Sequence, residues 1–151
     1  MRPEAPLSIE HTRLEMRERL RELGLRATSP RLQVLCALHQ HAGPLSHEEL
    51  TERLGASALD RATLYRILSQ LSEKGLLKRM DLGDKVWRYE LLDHCRRISD
   101  DHAHFLCTDC GAVTCLPELE LRAAKGSLPA QLQGAELHLK VTGRCADCVA
   151  Q

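Results

Sequence analysis

The sequence predicts an α+β chain in two parts: a helical N-terminal module closed by a β-hairpin, and a smaller mixed unit built around paired cysteines. Three observations carry that expectation. Apolar residues recur at helical spacing from about Ser8 to Gly75, between residues that cap helices and glycines that end them. The period then shortens to that of a strand, and two Cys-x2-Cys pairs stand at 107/110 and 145/148. A chain of 151 residues, 43% of them hydrophobic, can bury one ordinary core or two small ones.

Four helices can be drawn in the first part. The first carries Leu14, Leu20 and Leu23 and stops at Gly24. The second opens at Ser29, a capping residue followed by Pro30, with Leu32, Leu35 and Leu38 as its buried stripe. A third begins at Ser46, which forms a capping box with Glu49, and it closes at Gly55. The fourth starts at Asp60, sets Leu64, Ile67, Leu68 and Leu71 on one face, and stops at Gly75. Residues Leu76–Met80 and Lys85–Leu91, joined by a turn over residues 81–84, then read as a two-stranded hairpin. Helices followed by such a hairpin make a winged helix-turn-helix, whose last helix enters the DNA major groove.

The winged-helix domain is expected over residues 1–92 and the second domain over 93–151, with the hinge at about 90–101, where the sequence is polar and aperiodic. The second domain reads as a strand around Phe105, a strand Ala112–Leu116, a helix from Pro117 to about Ala124, and a last strand Glu136–Thr142. In that last strand Leu137, Leu139 and Val141 would form a buried face. So small a unit has little core and needs a metal, a partner subunit or both.

Seven cysteines in a chain with no apolar leader and no membrane-length apolar run point to the cytoplasm and to thiolate chemistry. Cys107, Cys110, Cys145 and Cys148 together suit a closed, structural zinc site, because four thiolates leave the metal no open position for water. Upstream of the first pair, His102 and His104 share one face of a strand, with Glu90 and Cys95 upstream and Cys115 downstream as further donors. These residues could form a second metal site. Taken alone, two histidines are as readily a solvated surface feature; the adjacent cysteine pairs favour a site. Imidazole and thiolate suit zinc, and an oxygen-rich set suits iron or manganese. No general acid or base accompanies this cluster, so no enzyme is expected. Cys36 lies in an apolar helical setting and reads as a core residue.

Lys+Arg and Asp+Glu each number 21, so the formal net charge is zero and any surface for a polyanion must be local. The fourth helix offers Arg61, Thr63, Tyr65 and Arg66 in its first turns. Arginine can read guanine, and tyrosine can hold phosphate or pack on thymine. Arg26 and Arg31 flank the start of the second helix, within reach of a DNA backbone or a narrow minor groove.

From about Leu20 to Cys148 the chain resembles the ferric uptake regulator (Fur) family. The resemblance is carried by Gly24-Leu25-Arg26-x-Thr28-x-Pro30-Arg31, Ala62-Thr63-Leu64-Tyr65-Arg66, Gly75-Leu76-Leu77, His102-x-His104-x-x-Cys107-x-x-Cys110-Gly111 and Cys145-x-x-Cys148, in that order. It implies a homodimer paired through the C-terminal domains, repression at a palindromic operator in double-stranded DNA, and a corepressor metal near the hinge. Carried over by position, the sensory ligands would be Glu90, His102, His104 and Cys115, with His94 or Cys95 as substitutes for Glu90. Two departures stand out. Pro44 occupies the place of a histidine usual in the iron- and peroxide-responsive branches, with His47 out of register. Lys78 replaces a hinge histidine found in some zinc-responsive members. Cys115, where many members have an acidic ligand, tilts the expectation toward the zinc uptake (Zur) branch, with Zn2+ as the regulatory metal and Fe2+ or Mn2+ as the alternatives.

Overall fold

The computed structural model describes residues 9–41, 43–55, 59–92, 102–116, 118–119, 122, 126–135 and 139–150. The chain divides into two compact units, Met1–His94 and Cys95–Gln151, each taken here by itself.

The first unit runs α1 (Ile9–Glu22), α2 (Ser29–His39), β1 (Leu45–Ser46), α3 (His47–Leu54), α4 (Arg61–Glu73), β2 (Leu77–Asp81) and β3 (Trp87–Leu91). Its core is leucine-rich: Leu20, Leu35, Leu50, Leu64, Leu68 and Leu71 are fully buried, and Tyr89 and Leu91 close it from the hairpin side. On α1 the buried residues are Thr12, Met16 and Leu20, spaced one turn apart, whereas Leu14 is 54% exposed. The expected stripe was therefore placed wrongly at Leu14, which sits two residues off the row that faces the core.

α2 is capped by Thr28 rather than Ser29. The Thr28 carbonyl accepts the first helical bond from the Leu32 amide at 3.1 Å, which draws Ser29 and Pro30 inside the helix. The α3 cap is as the sequence predicts. The Glu49 amide donates to Ser46 Oγ at 3.2 Å, and the Ser46 amide donates to Glu49 Oε2 at 2.7 Å. α4 is capped by Asp60, whose carboxylate accepts from the Thr63 amide at 2.9 Å. The Thr63 hydroxyl first, and that amide next, hold the Asp60 carboxyl below its ordinary pKa.

The hairpin is part of a three-stranded antiparallel sheet in the order β1-β3-β2; the two-residue β1 is a strand that the sequence pattern does not announce, and its Ser46 is also the predicted cap of α3. The loop between β2 and β3 is longer than the expected four-residue turn. Asp81 Oδ1 accepts from the Gly83 and Lys85 amides, Asp84 Oδ1 accepts from the Val86 amide, and Lys85 takes a left-handed φ of 62°, so pairing resumes only at Trp87.

The second unit is a three-stranded sheet of β4 (Ala103–Cys107), β5 (Val113–Leu116) and β6 (Lys140–Gly143), followed by α5 (Ala146–Val149). The order is β5-β4-β6, with β5 antiparallel and β6 parallel to β4. Its buried apolar set among the described residues is small: Ala103, Leu106, Cys107 and Val113. The helix expected over residues 117–124 falls mostly outside the described residues, and Glu118, Leu119 and Arg122 are not helical. Residues 136–138 of the expected last strand, with Leu137, also lie outside, as do residues 93–101 of the hinge, including His94 and Cys95. The buried face expected of the last strand is not realised within one chain. Leu139, just before β6, is 37% exposed and Val141 is half-buried; among the described residues β6 pairs with β4 alone and lies at the sheet edge.

Ser46→Ala removes one partner of a reciprocal cap and should cost about 1 kcal/mol. Thermal unfolding followed by circular dichroism should show the midpoint of the first unit lowered by roughly 4–8 °C.

Candidate metal centre and nucleic-acid interface

Two Cys-x2-Cys segments approach each other because β4 and β6 run parallel and end side by side, Cys107 opposite Gly143. After Cys107 the chain turns back on itself. The Gly111 amide donates to the Cys107 carbonyl at 3.1 Å, and Gly111 takes a φ of 71° that favours glycine. The Thr108 amide donates to the Gly143 carbonyl at 2.8 Å and ties this knuckle to the end of β6. Cys145 is the N-cap of α5 and Cys148 lies within it, so one helical turn sets the second pair.

The four sulfurs lie within 4.8 Å of one another, with Cys107 to Cys148 and Cys110 to Cys145 each at 3.9 Å. These are not disulfides, in which sulfurs stand about 2.05 Å apart. A tetrahedron of thiolates around zinc, with Zn–S near 2.3 Å, has edges of about 3.8 Å. The donor set therefore fits a divalent metal of that size in both distance and chemistry. The electrostatics agree. The Cys107 thiol is lowered to about 6 by backbone amides, that of Cys110 first and that of Cys145 next, the latter donating to Sγ at 3.3 Å. Cys148 is pushed up by the neighbouring sulfurs of Cys145 and Cys110, which favour its protonated form. A cation at the centre relieves that crowding. Arg144 joins the two halves from outside, donating from its guanidinium to Asp109 in the first knuckle and, at 2.6 Å, to the Cys148 carbonyl in the second. Sequence reasoning missed Arg144, because a lone arginine before a cysteine carries no spacing signal.

The second unit also gathers His102, His104 and Cys115. His104 pairs directly with Cys115 across β4 and β5. His102 lies two residues earlier, and its ring centroid is 4.6 Å from that of His104. Donor atoms of the three lie within 4.8 Å of one another, and His104 is buried. Two imidazoles and a thiolate make a nitrogen- and sulfur-rich set that fits zinc. Glu90 belongs to the first unit, on β3, where it is buried and paired in register with Lys78.

On α4 the buried Leu64, Ile67, Leu68 and Leu71 fix the opposite face outward, leaving Arg61, Tyr65 and Arg66 exposed. Arg66 donates to Thr63 Oγ1 at 3.2 Å, which orients both. A cleft of about 830 Å3 runs along this face, lined by Arg61, Tyr65 and Arg66 from the helix and by Trp87 and Tyr89 from the hairpin. Trp87 is 49% exposed, with the Arg79 guanidinium 4.1 Å above its ring. The sequence reading noted Trp87 only as a strand former. Arg31 donates to the Arg26 carbonyl and to Gln70 Oε1, both at 2.8 Å, and thereby ties the α2 entry to α4; the Arg26 side chain is exposed.

A winged helix with a cationic helix face, joined in sequence to a small sheet with two clusters of metal donors, defines the class. The family model for the ferric uptake regulator family matches residues 22–141. The ferric uptake regulation protein of Haemophilus ducreyi is 31% identical over 149 residues, covering 93% of each chain. The crystal structure of the Vibrio cholerae ferric uptake regulator superposes with a TM-score of 0.61 at 25% identity, covering 85% of this chain and 98% of the other. A zinc uptake regulator complexed with zinc and DNA shares the fold, with a TM-score of 0.57 at 22% identity over 95% of this chain and 97% of the other. The chain belongs to the ferric uptake regulator family.

Cys107→Ser should leave one fewer metal per chain by elemental analysis, and hydrogen exchange should find β4 unprotected. Arg144→Ala keeps all four sulfurs and should instead weaken metal retention against a chromogenic chelator, by roughly tenfold or more, as loss of an outer partner does.

Proposed function

We propose that this protein is a zinc-responsive, DNA-binding transcriptional repressor that acts in the cytoplasm as a homodimer and controls metal homeostasis genes. The observation that carries the reading is the grouping of His102, His104 and Cys115 in the same small sheet unit as the four-cysteine cluster, a nitrogen- and sulfur-rich set whose donors favour zinc over harder cations. In this reading Cys107, Cys110, Cys145 and Cys148 hold a structural zinc, and His102, His104 and Cys115 bind the regulatory ion. Glu90 is the fourth ligand of that ion, and His94 or Cys95 is its substitute. An ion held by these residues would supply a Lewis-acid centre joining their side chains.

Glu90 lies next to the last residue of β3, the strand that pairs with the rest of the wing, so its engagement biases the DNA-binding unit. Any ligand set that forms better in the DNA-competent arrangement raises operator affinity by that difference, tenfold for each ~1.4 kcal/mol. Arg61, Thr63, Tyr65 and Arg66 then read the major groove of a palindromic operator, and Arg26 and Arg31 bear on the backbone or minor groove. Homodimerisation covers Leu139 and the adjoining β6, where Val141 is incompletely buried within one chain. A second reading, iron or peroxide sensing with Fe2+ or Mn2+ at the same ligands, is favoured by the naming of the Haemophilus relative as a ferric uptake regulation protein.

The two readings separate on metal content after anaerobic equilibration with buffered zinc and ferrous iron. Two zinc per chain supports the zinc reading, and one zinc with one iron supports the other. His104→Ala should keep the fold and one metal per chain while losing the metal-dependent gain in DNA affinity, measured by fluorescence anisotropy. Unchanged metal dependence in that variant would sink the sensory assignment.

A further inference from the structure

The first unit carries a second cationic feature, apart from the α4 cleft. Arg17 and Arg21 lie one turn apart on α1 and share a face. With Arg26, Thr28 and the backbone of the turn between α1 and α2 they line a shallow concavity of about 810 Å3. No carboxylate and no aromatic side chain is among its lining residues. Like charges one turn apart weaken a helix, and the place of Arg21 in the last turn of α1 offsets this only in part. Among the described residues its ion pair is Arg19 with Glu15, off this face, and none engages Arg17, Arg21 or Arg26. The side chain of Thr28 caps no amide of α2, and the first turn of α2 holds no acidic residue. Positive charge is thus gathered here with no ion-pair partner among the described residues, in a chain whose net charge is zero.

We propose that Arg17, Arg21 and Arg26 form a clamp for the DNA phosphate backbone beside the segment that α4 reads. The inference rests on the DNA-binding reading above. Guanidinium groups are permanent cations that donate paired hydrogen bonds to phosphate oxygens, which suits a diester and discriminates against nothing in the base sequence. The clamp keeps a fixed place relative to α4, because Arg31 bonds both the Arg26 carbonyl and Gln70 of α4. It therefore sets how the helix lies along the duplex, where α4 alone sets which bases it meets.

The test uses the full-length, metal-loaded chain and two duplexes, one selected by the wild type from a random pool and one of scrambled sequence, titrated over a range of salt. Each phosphate contact contributes about 0.9 to the slope of log affinity against log salt. Arg17→Gln/Arg21→Gln should flatten that slope by about 2 per bound chain on both duplexes, with the preference for the selected duplex retained and circular dichroism unchanged. Arg17→Lys/Arg21→Lys should restore most of the slope. If the double Gln variant binds with the wild-type slope, the clamp is wrong and DNA binding through α4 stands. If the wild type selects no duplex at all, both readings fall.

Discussion

The second unit depends on four sulfurs meeting at one point. Its described residues bury only a handful of apolar side chains, and its sheet has two strands flanking a single central one. A core of that size contributes too little to hold three strands and a one-turn helix in place unaided. The sulfur cluster connects the far end of β4 to the segment after β6, two places 38 residues apart in sequence at Cys107 and Cys145, whose amide and Sγ meet at 3.3 Å. A link across so long a loop removes much of the freedom of the unfolded chain, whether a covalent bridge or a metal makes it. Arg144 and the Thr108–Gly143 bond reinforce the same junction.

The first unit solves its problem differently. Its core is large enough to stand without metal, and its functional face follows from what that core excludes. Four apolar residues of α4 face inward, so the arginines and the tyrosine between them have to face out. Asp60 starts the helix at one defined residue and so fixes the angular position of Arg61, Tyr65 and Arg66 relative to the hairpin. A chain with no net charge can still bind a polyanion if its cations are gathered in this way, since the field of a duplex is felt over about a Debye length and not over the whole protein.

How much of this the sequence disclosed follows from the range of each signal. Ser46 with Glu49, and Asp60 three residues ahead of Thr63, are local patterns, and the structure reproduces both caps. The paired cysteines are likewise local, and four at that spacing suggest one site before any fold is known. Leu14 shows where the local signal fails: on a helix as rich in charge as α1, several apolar rows compete and only packing selects one. β1 is two residues long, below any detectable period, and exists because β3 offers it an edge. α5 is four residues long and hides in the same way. The pairing of His104 with Cys115 is a matter of sheet register, which no single segment encodes, so composition and family resemblance had to stand in for it.

The central strand carries the further consequence. His104 and Cys107 lie on β4 three residues apart, about 10 Å at the rise of a strand. The register of β4 against β5 is what sets His104 opposite Cys115, and its register against β6 is what sets Cys107 opposite Gly143 at the edge of the sulfur cluster. A slip of one residue would send His104 to the other face of the sheet and separate it from Cys115. The two clusters are therefore unequal partners. The sulfur cluster anchors the strand that carries His104, whereas His102, His104 and Cys115 hold no segment that the sheet does not already hold. A site able to gain and lose an ion without unfolding the protein has to be built on a strand secured elsewhere, and the proposed sensory role of the second cluster would draw on that property of β4.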